Sequence, residues 1–575
     1  MKERIEREYK RWLKEAETNP ILAVLLAEIA GDDALIADCY YRDLAFGTGG
    51  IRGVLGAGTN RMNIYTVGKS TQGLADYLLQ TETQPSVCIA CDTRNMSLEF
   101  AQTAAAVLCA NGVKVYLYET PHPTPMLSFA VRHCKASCGI VVTASHNPKE
   151  YNGYKVYNAD GGQITDAAAA EISARIAARD IFSGVKRKSP VEAQADGSLV
   201  YLDDTVDSAY YEKVKNLILR KELVREHAAE LKLIYTPLHG SGNVPVRRVL
   251  KELGFAKVTV VPEQEKPDGN FPTADYPNPE EPSVYALAIE MAKDLHPDLI
   301  FATDPDCDRI GVLTQDENGA YVVLSGNQTG ALLCEYILSA RKELGSLPKN
   351  AAVVKTIVTT ELVRSICAAF GATLIEVLTG FKYIGEKIGE WAQSGEYSFM
   401  LGFEESYGYL AGEFVRDKDA VIASALIAEM ALYYKKNGLT LYDALQKLYA
   451  RYGYAREALL SVEMPGQDGQ AQIAALMQAL RCDYQARLAG QEIAMLEDYS
   501  TGVRTRLAEN RQESITLPKS DVLKFIFADG AWLVLRPSGT EPKIKLYLSV
   551  DGNTAEAAEK RLAELEAVAK ALLKS

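Results

Sequence analysis

Through the first three-quarters of the chain, short apolar runs of β type alternate with longer stretches of helical pattern, and this limits the fold more than any other feature. SVCIACDTR at 86–94 is followed by helical pattern over 97–111, then by VKVYLYET at 113–120 and GIVVTASHNP at 139–148. The theme returns in LKLIYTPLHG (231–240), KVTVVPE (257–263), DLIFATDPD (298–306), AAVVKTIVTT (351–360) and ATLIEVLTG (372–380). Such alternation builds α/β units on mostly parallel sheets. Sheets of this kind bind ligands beyond the carboxyl ends of their strands. The polar loops that close these runs are therefore the places to look for chemistry.

Beyond Arg456 the pattern changes. Helices rich in Ala and Gln give way to VLKFIFAD, AWLVLRPS and KIKLYLSV, then to a closing helix over 555–574. That predicts a separate α+β domain on an antiparallel sheet. A chain of 575 residues suits about four domains. The expected borders are 1–204, 205–322, 323–455 and 456–575. Residues 1–40 read as one or two amphipathic helices packed on the first domain. The polar stretch Ser183–Asp204 reads as a linker or hairpin, and Gln315–Gly319 as a hairpin turn.

The net charge of −13 argues against a nucleic-acid binder, which is normally basic. An acidic protein that holds a small anion must gather its Lys and Arg in one place. The N-terminus is charged throughout and lacks the apolar segment of a secretory signal. The most apolar helical run, Ala420–Ala428, is far too short to span a bilayer. A cytoplasmic protein without membrane contact is expected. Cys88 and Cys91 form a C-x-x-C on a strand, where residues three apart point to opposite faces. Buried reduced thiols are expected there rather than a zinc clamp.

Four loops carry candidate chemistry. Ser145, in TASHNP at 143–148, sits on a tight loop after a strand and suits a nucleophile or phosphate carrier, although Ser, Asn and Pro also make ordinary turns. DPDCDR at 304–309 puts Asp304, Asp306 and Asp308 at alternate positions. Unpaired they would repel, so a hard divalent cation is the natural compensation, and oxygen-only ligands favour magnesium. An EF-hand is excluded, because Arg309 stands where that loop needs Gly and Gln315 where it needs Glu. GFEESYG at 402–408 offers carboxylates and a hydroxyl to sugar hydroxyls, and Lys418 nearby would serve as an acid or base if its pKa were lowered. RPSGTEP at 536–542 combines Arg with hydroxyls and a Gly-flanked backbone, a phosphate cradle or a plain turn. Taken together, the loops suit phosphoryl transfer to and from a sugar.

At these loops the chain resembles the α-D-phosphohexomutases. TASHNP, DPDCDR, GFEES and RPSGTEP match that family's four signature loops in order, and FGTGGIRG at 46–53 is similar to its N-terminal strand and loop. The resemblance spans essentially the whole chain. It implies a heart-shaped molecule of four domains: three related α/β domains with mixed sheets and a C-terminal α+β domain, whose closure over a central cleft would retain the intermediate. It implies a phosphoserine at Ser145, with Mg²⁺ held by Asp304, Asp306, Asp308 and a phosphoserine oxygen on Ser145. It further implies that Arg309 orients the phosphoserine, that Glu404 and Ser406 hold sugar hydroxyls, and that Arg52 reaches the site. Arg536, Ser538, Gly539 and Thr540 would clamp the non-reacting phosphate. Lys155 and Lys418 would move protons, with His146 in support.

The implied reaction interconverts glucose 1-phosphate and glucose 6-phosphate through a glucose 1,6-bisphosphate that turns over in the cleft. The second Glu of GFEES resembles the glucose-type loop. Phosphomannomutase and phosphopentomutase are the closest rivals. Phe403 within the sugar loop, and Pro305 and Cys307 within the metal loop, depart from the common pattern. A phosphatase with an Asp nucleophile would leave Ser145 and the 536–542 loop without roles, and a silent sugar-phosphate sensor would leave the reactive groups unused. The expected partner is a hexose phosphate, on a monomer or homodimer.

Overall fold

The run Cys138–Val142 is apolar at nearly every position because it is buried on both faces, as a strand inside a layered α/β sheet must be. A computed structural model describes residues 1–464, 469–488, 490–538 and 543–573. In it, this strand lies inside a six-stranded sheet ordered Ile51–Val54, Tyr151–Asn158, Cys138–Val142, Ser86–Cys91, Lys114–Leu117, Leu199–Tyr201. The first two pairings are antiparallel and the rest parallel. The sheet is thus mixed, with helices on its faces.

Two further mixed sheets follow. One has five strands, ordered Tyr321–Leu324, Ile310–Gln315, Leu299–Thr303, Lys232–Thr236, Lys257–Val260. Its first two strands form the hairpin expected around Gln315–Gly319. The other has four strands, ordered Thr373–Val377, Ala351–Thr356, Ser398–Glu404, Gly408–Leu410. The C-terminal sheet has seven strands, and every pairing in it is antiparallel.

Two sequence expectations need correction. The N-terminal extension forms three helices, Lys2–Ala16, Pro20–Ala27 and Asp33–Tyr40. They dock through Trp12, which is fully buried and meets Tyr65 and Phe182 edge-on. The stretch 183–204 is not a free linker: it contributes helix Pro190–Ala195 and the strand Leu199–Tyr201, which closes the edge of the first sheet. The strand itself is apolar, and the charges of the stretch lie before and after it. The first three sheets are mixed, as the resemblance implies, each with antiparallel pairing towards one edge beside its parallel strands.

The apolar run after Asp419 becomes helix Ala420–Lys436, buried from Ala420 to Leu432 within a core shared by the first three sheets. It is apolar all round because it is a core helix. Among the described residues no helix is long and apolar enough to cross a membrane. Cys88 and Cys91 do face opposite ways: the first packs into that shared core, the second into the separate core of the first sheet.

Candidate active site

Ser145 lies just past the carboxyl end of Cys138–Val142 with φ of 51°, a left-handed conformation that costs a non-glycine residue roughly 1 kcal/mol or more. Local bonds hold it there. Its N–H donates to Thr143 Oγ1 at 2.8 Å, and Thr143 Oγ1 donates to Asp92 at 2.6 Å. Arg94, buried, donates through Nη2 and Nε to the Ser145 carbonyl at 2.5 and 3.2 Å. The same guanidinium reaches the carbonyls of Asn147, Pro148 and Tyr151, so one side chain ties down the whole loop. Asp92 pairs with Arg94 at 3.4 Å and accepts from Ser97 Oγ at 2.6 Å.

The metal-type loop approaches from the second sheet. Asp304, Asp306 and Asp308 are all buried, with ligand oxygens within 4.8 Å of one another. The loop turns through Cys307 at φ of 52°. It rests on Pro237–Gly242, where Ser241 N and Oγ both donate to the Pro305 carbonyl at 2.8 Å. A Cβ on Gly240 would lie 2.6 Å from Pro305 Cα, so only glycine lets the two loops meet.

Ser145 Oγ donates to Asp304 Oδ2 at 2.7 Å, which joins the two loops directly. Thr124, at the start of helix Thr124–His133, donates its hydroxyl to Asp306 Oδ2 at 2.9 Å and its N–H to the Asp306 carbonyl at 3.0 Å. Lys155, on strand Tyr151–Asn158, reaches Asp306 Oδ2 at 3.0 Å. From the third unit, Lys418 reaches Asp308 Oδ2 at 3.0 Å and Asp417 Oδ1 at 3.1 Å.

At separations of this size and an effective dielectric near 20, each carboxylate pair repels by about 3–4 kcal/mol. Burial and this repulsion push Asp304 well above the usual carboxylate range, and raise Asp308 too. Burial also acts on Asp306, but Lys155 and the Thr124 hydroxyl outweigh it and hold that carboxyl low. Two buried oxygens, Asp306 Oδ1 and Asp308 Oδ1, have no hydrogen-bond partner among the described residues. Buried acceptors without donors, on hard oxygen ligands, fit a divalent cation such as Mg²⁺.

The other expected residues are placed as follows. His146 Nδ1 lies 3.1 Å from Ser145 Oγ, and burial, then the charges of Arg309 and Arg52, keep the imidazole neutral. Arg309 pairs with Glu280 at 2.8 Å and borders Asp308. Glu404 accepts from Gly380 N at 2.9 Å. Glu405 accepts from Thr359 and Thr356 hydroxyls at 3.3 and 3.4 Å, and burial, with Glu404 beside it, raises its carboxyl to about 7. Ser406 follows on the half-buried loop that ends strand Ser398–Glu404. Arg52 donates to Asn147 Oδ1 at 3.1 Å on the loop of Ser145. Arg536 lies on strand Trp532–Pro537, paired in register with Lys545, and Ser538 N donates to the Lys543 carbonyl at 2.7 Å. Gly539 and Thr540 lie outside the described residues.

Lys418 departs from the sequence reading. Burial would lower its pKa, but Asp308, Asp417 and Glu404 outweigh that and raise it, so it is held as a cation. Sequence reasoning also missed Arg94, Thr124 and Lys545. The last feels the charges of Glu405, Arg309 and Arg536, although burial lowers its own pKa. For Arg94 the signal was present: Asp92 and Arg94 are charged residues at the carboxyl end of an apolar strand, where ligand-site groups collect.

Three mixed α/β layers, an antiparallel fourth, and a serine loop locked to a three-carboxylate loop define a phosphoryl-transfer type of protein. Family models for the four phosphoglucomutase/phosphomannomutase domains match in order: domain I at 43–181, II at 208–319, III at 325–452 and the C-terminal domain at 459–567. The chain belongs to the phosphoglucomutase/phosphomannomutase family. It is 39% identical to a phosphoglucomutase of Staphylococcus haemolyticus, over 91% of this chain and 96% of that protein. Its fold is similar to a putative phosphomannomutase of Thermus thermophilus (TM-score 0.66, 24% identity, covering 91% and 99% of the two chains). It is also similar to the open form of Paramecium parafusin, a phosphoglucomutase (TM-score 0.68, 16% identity, covering 92% and 96%).

Proposed function

We propose that this enzyme interconverts glucose 1-phosphate and glucose 6-phosphate through a phosphoserine at Ser145 and a glucose 1,6-bisphosphate intermediate. The observation that carries the reading is the 2.7 Å bond from Ser145 Oγ to Asp304, because it puts a strained, buried hydroxyl in the mouth of an oxygen-only cation site. The name shared by curated relatives at 36–39% identity favours glucose over mannose or pentose phosphates.

Asp304, Asp306 and Asp308, with an oxygen on Ser145, would hold Mg²⁺. Bound there, the ion offsets the negative charge that builds on the transferring phosphoryl group. In the forward half, the Oγ–P bond of phospho-Ser145 breaks as a sugar hydroxyl forms the new O–P bond, and the hydroxyl's proton passes to a base in the cleft. In the return half, the Ser145 hydroxyl must shed its proton as it takes the other phosphate. Two acceptors lie within reach, Asp304 Oδ2 at 2.7 Å and the neutral His146 Nδ1 at 3.1 Å. Lys155 pairs with Asp306, and Lys418, held as a cation by Asp308 and Asp417, donates a proton rather than accepting one. Glu404 and Ser406 hold sugar hydroxyls, while Arg52, Arg309 and the 536–540 loop bind phosphate, with Lys545 as an additional cation. Functional units divide close to 204/205, 322/323 and 455/456; the four separate sheets support the division into four, with strand Tyr321–Leu324 wholly in the second sheet and strand Tyr454–Glu463 wholly in the fourth.

Substitution Ser145→Ala tests the reading. Expected is a loss of mutase turnover of at least about a thousandfold, with sugar-phosphate binding kept. An enzyme using Asp304 as its nucleophile would keep turning over.

A further inference from the structure

An open groove of about 460 Å³ runs between the first and third sheets' units, lined by the cations Arg132, Lys135 and Arg416 and by one carboxylate, Asp160. Small residues of helix Phe381–Ser394, Gly389 and Ala392, form the facing wall and leave the room. The three cations are under-neutralised. Among the described residues none has a carboxylate oxygen within 4.0 Å, although Asp160 and Glu413 are near enough to act on both arginines. Asp160 Oδ1 is taken by Gly162 N at 3.0 Å. Arg132 donates to the Asp160 carbonyl at 3.1 Å. Arg416, only 3% exposed, reaches the carbonyls of Glu413 and Val415, and its Nε has no hydrogen-bond partner among the described residues. Burial, then the charge of Arg132, pull its guanidinium down to about 10, which is what two cations facing one unfilled space should do to each other.

We propose that this groove is a second anion site, separate from the catalytic cleft, that takes a phosphate monoester of metabolite size. Two guanidiniums and an ammonium match three phosphate oxygens and a charge near −2. The volume lies in the range of small-molecule sites. The site stands apart from the chemistry: helix Thr124–His133 has Thr124 on Asp306 at one end and Arg132 in the groove at the other, roughly 12 Å along the axis. A ligand would also bridge two domains. The segment carrying Arg416 is already tied to the first unit, by Arg416 N to Ser128 Oγ at 2.9 Å and by Asp417 to Tyr157 OH at 2.7 Å.

Crystals of the full chain soaked in tungstate, a phosphate mimic with an anomalous signal, test the proposal. Expected is a peak between Arg132, Lys135 and Arg416, lost in R132Q/K135E and weakened in K135E alone, while a peak at Arg536 persists. Titration with inorganic phosphate should show one site fewer in R132Q/K135E than in the wild type. Mutase turnover of that variant should stay within twofold. No groove peak in the wild type, or a peak that both substitutions leave unchanged, would overturn the proposal. So would loss of turnover in a folded variant, since the residues would then belong to the cleft.

Discussion

Arg94 should matter to turnover although it touches Ser145 only at the carbonyl. Its guanidinium supplies the donors for four carbonyls of the Ser145 loop and pairs with the buried Asp92. In Arg94→Ala the buried Ser145 carbonyl loses its donors, worth about 1–3 kcal/mol. Breaking a buried ion pair costs about 3–5 kcal/mol when the remaining charge has no other partner. Asp92 keeps Thr143, Ser97 and the Arg94 N–H, so its loss falls well below that range. The carbonyls of Asn147, Pro148 and Tyr151 belong to half-buried residues and regain water, which leaves a total of about 3–5 kcal/mol. For a domain of this size that lowers Tm by roughly 6–20 °C, read by calorimetry. The left-handed Ser145 then relaxes, and a shift of about 1 Å at the nucleophile costs about a hundredfold in kcat. Arg94→Lys separates the two effects: one ammonium can face Asp92 and restore stability, but it cannot span four carbonyls, so kcat stays low. A folded Arg94→Ala enzyme with kcat within threefold of wild type would refute the argument.

Three further outcomes are expected. Glu405 holds a proton up to about pH 7 when folded but releases it near 4.5 when unfolded, so its contribution to stability falls as pH rises from 4.5 through 7 and is flat above. Chemical denaturation at pH 5 and pH 8 should show wild type losing stability relative to Glu405→Gln, and equal slopes would count against it. Asp304→Asn replaces the carboxyl that burial and its two neighbours already push towards its neutral form, so the metal-free variant should melt no lower than wild type, while Mg²⁺ should no longer raise its Tm or restore activity after chelation. Gly326→Ala places a Cβ 2.0 Å from the Glu405 carbonyl, so the sugar loop must move. A cost of about 1–3 kcal/mol and a raised KM with Mg²⁺ binding intact are expected.

The site was legible in the sequence wherever its chemistry sits in consecutive residues. DPDCDR gives its aspartates at alternate positions, and a short loop has no way to hold them except together, so the buried trio follows from the string alone. The strand runs were readable for a similar reason, since burial on both faces demands unbroken apolar runs. What could not be read is what a single side chain does across space. Lys418 needs a lowered pKa to act as the sequence suggests, yet the carboxylates of Asp308 and Asp417, which come from different loops, hold it up. Thr124 looks like the start of a helix, and nothing in its neighbours announces that it grips an aspartate 182 positions away. Stretch 183–204 reads as a linker because its strand is only three residues long, Leu199–Tyr201, and is set among charged and polar positions. The acidic composition obeys the same logic. A net charge of −13 repels phosphate only if the cations are spread evenly. Here Lys155, Lys418, Arg309 and Lys545 converge on the carboxylates of one cleft, while Arg132, Lys135 and Arg416 line a groove with no ion pair among the described residues. The first group is neutralised by the site's own aspartates and glutamates and needs a metal to complete it. The second has only Asp160 and Glu413 nearby, neither close enough to form an ion pair, so an anion should distinguish the two groups more sharply than any property of the chain as a whole.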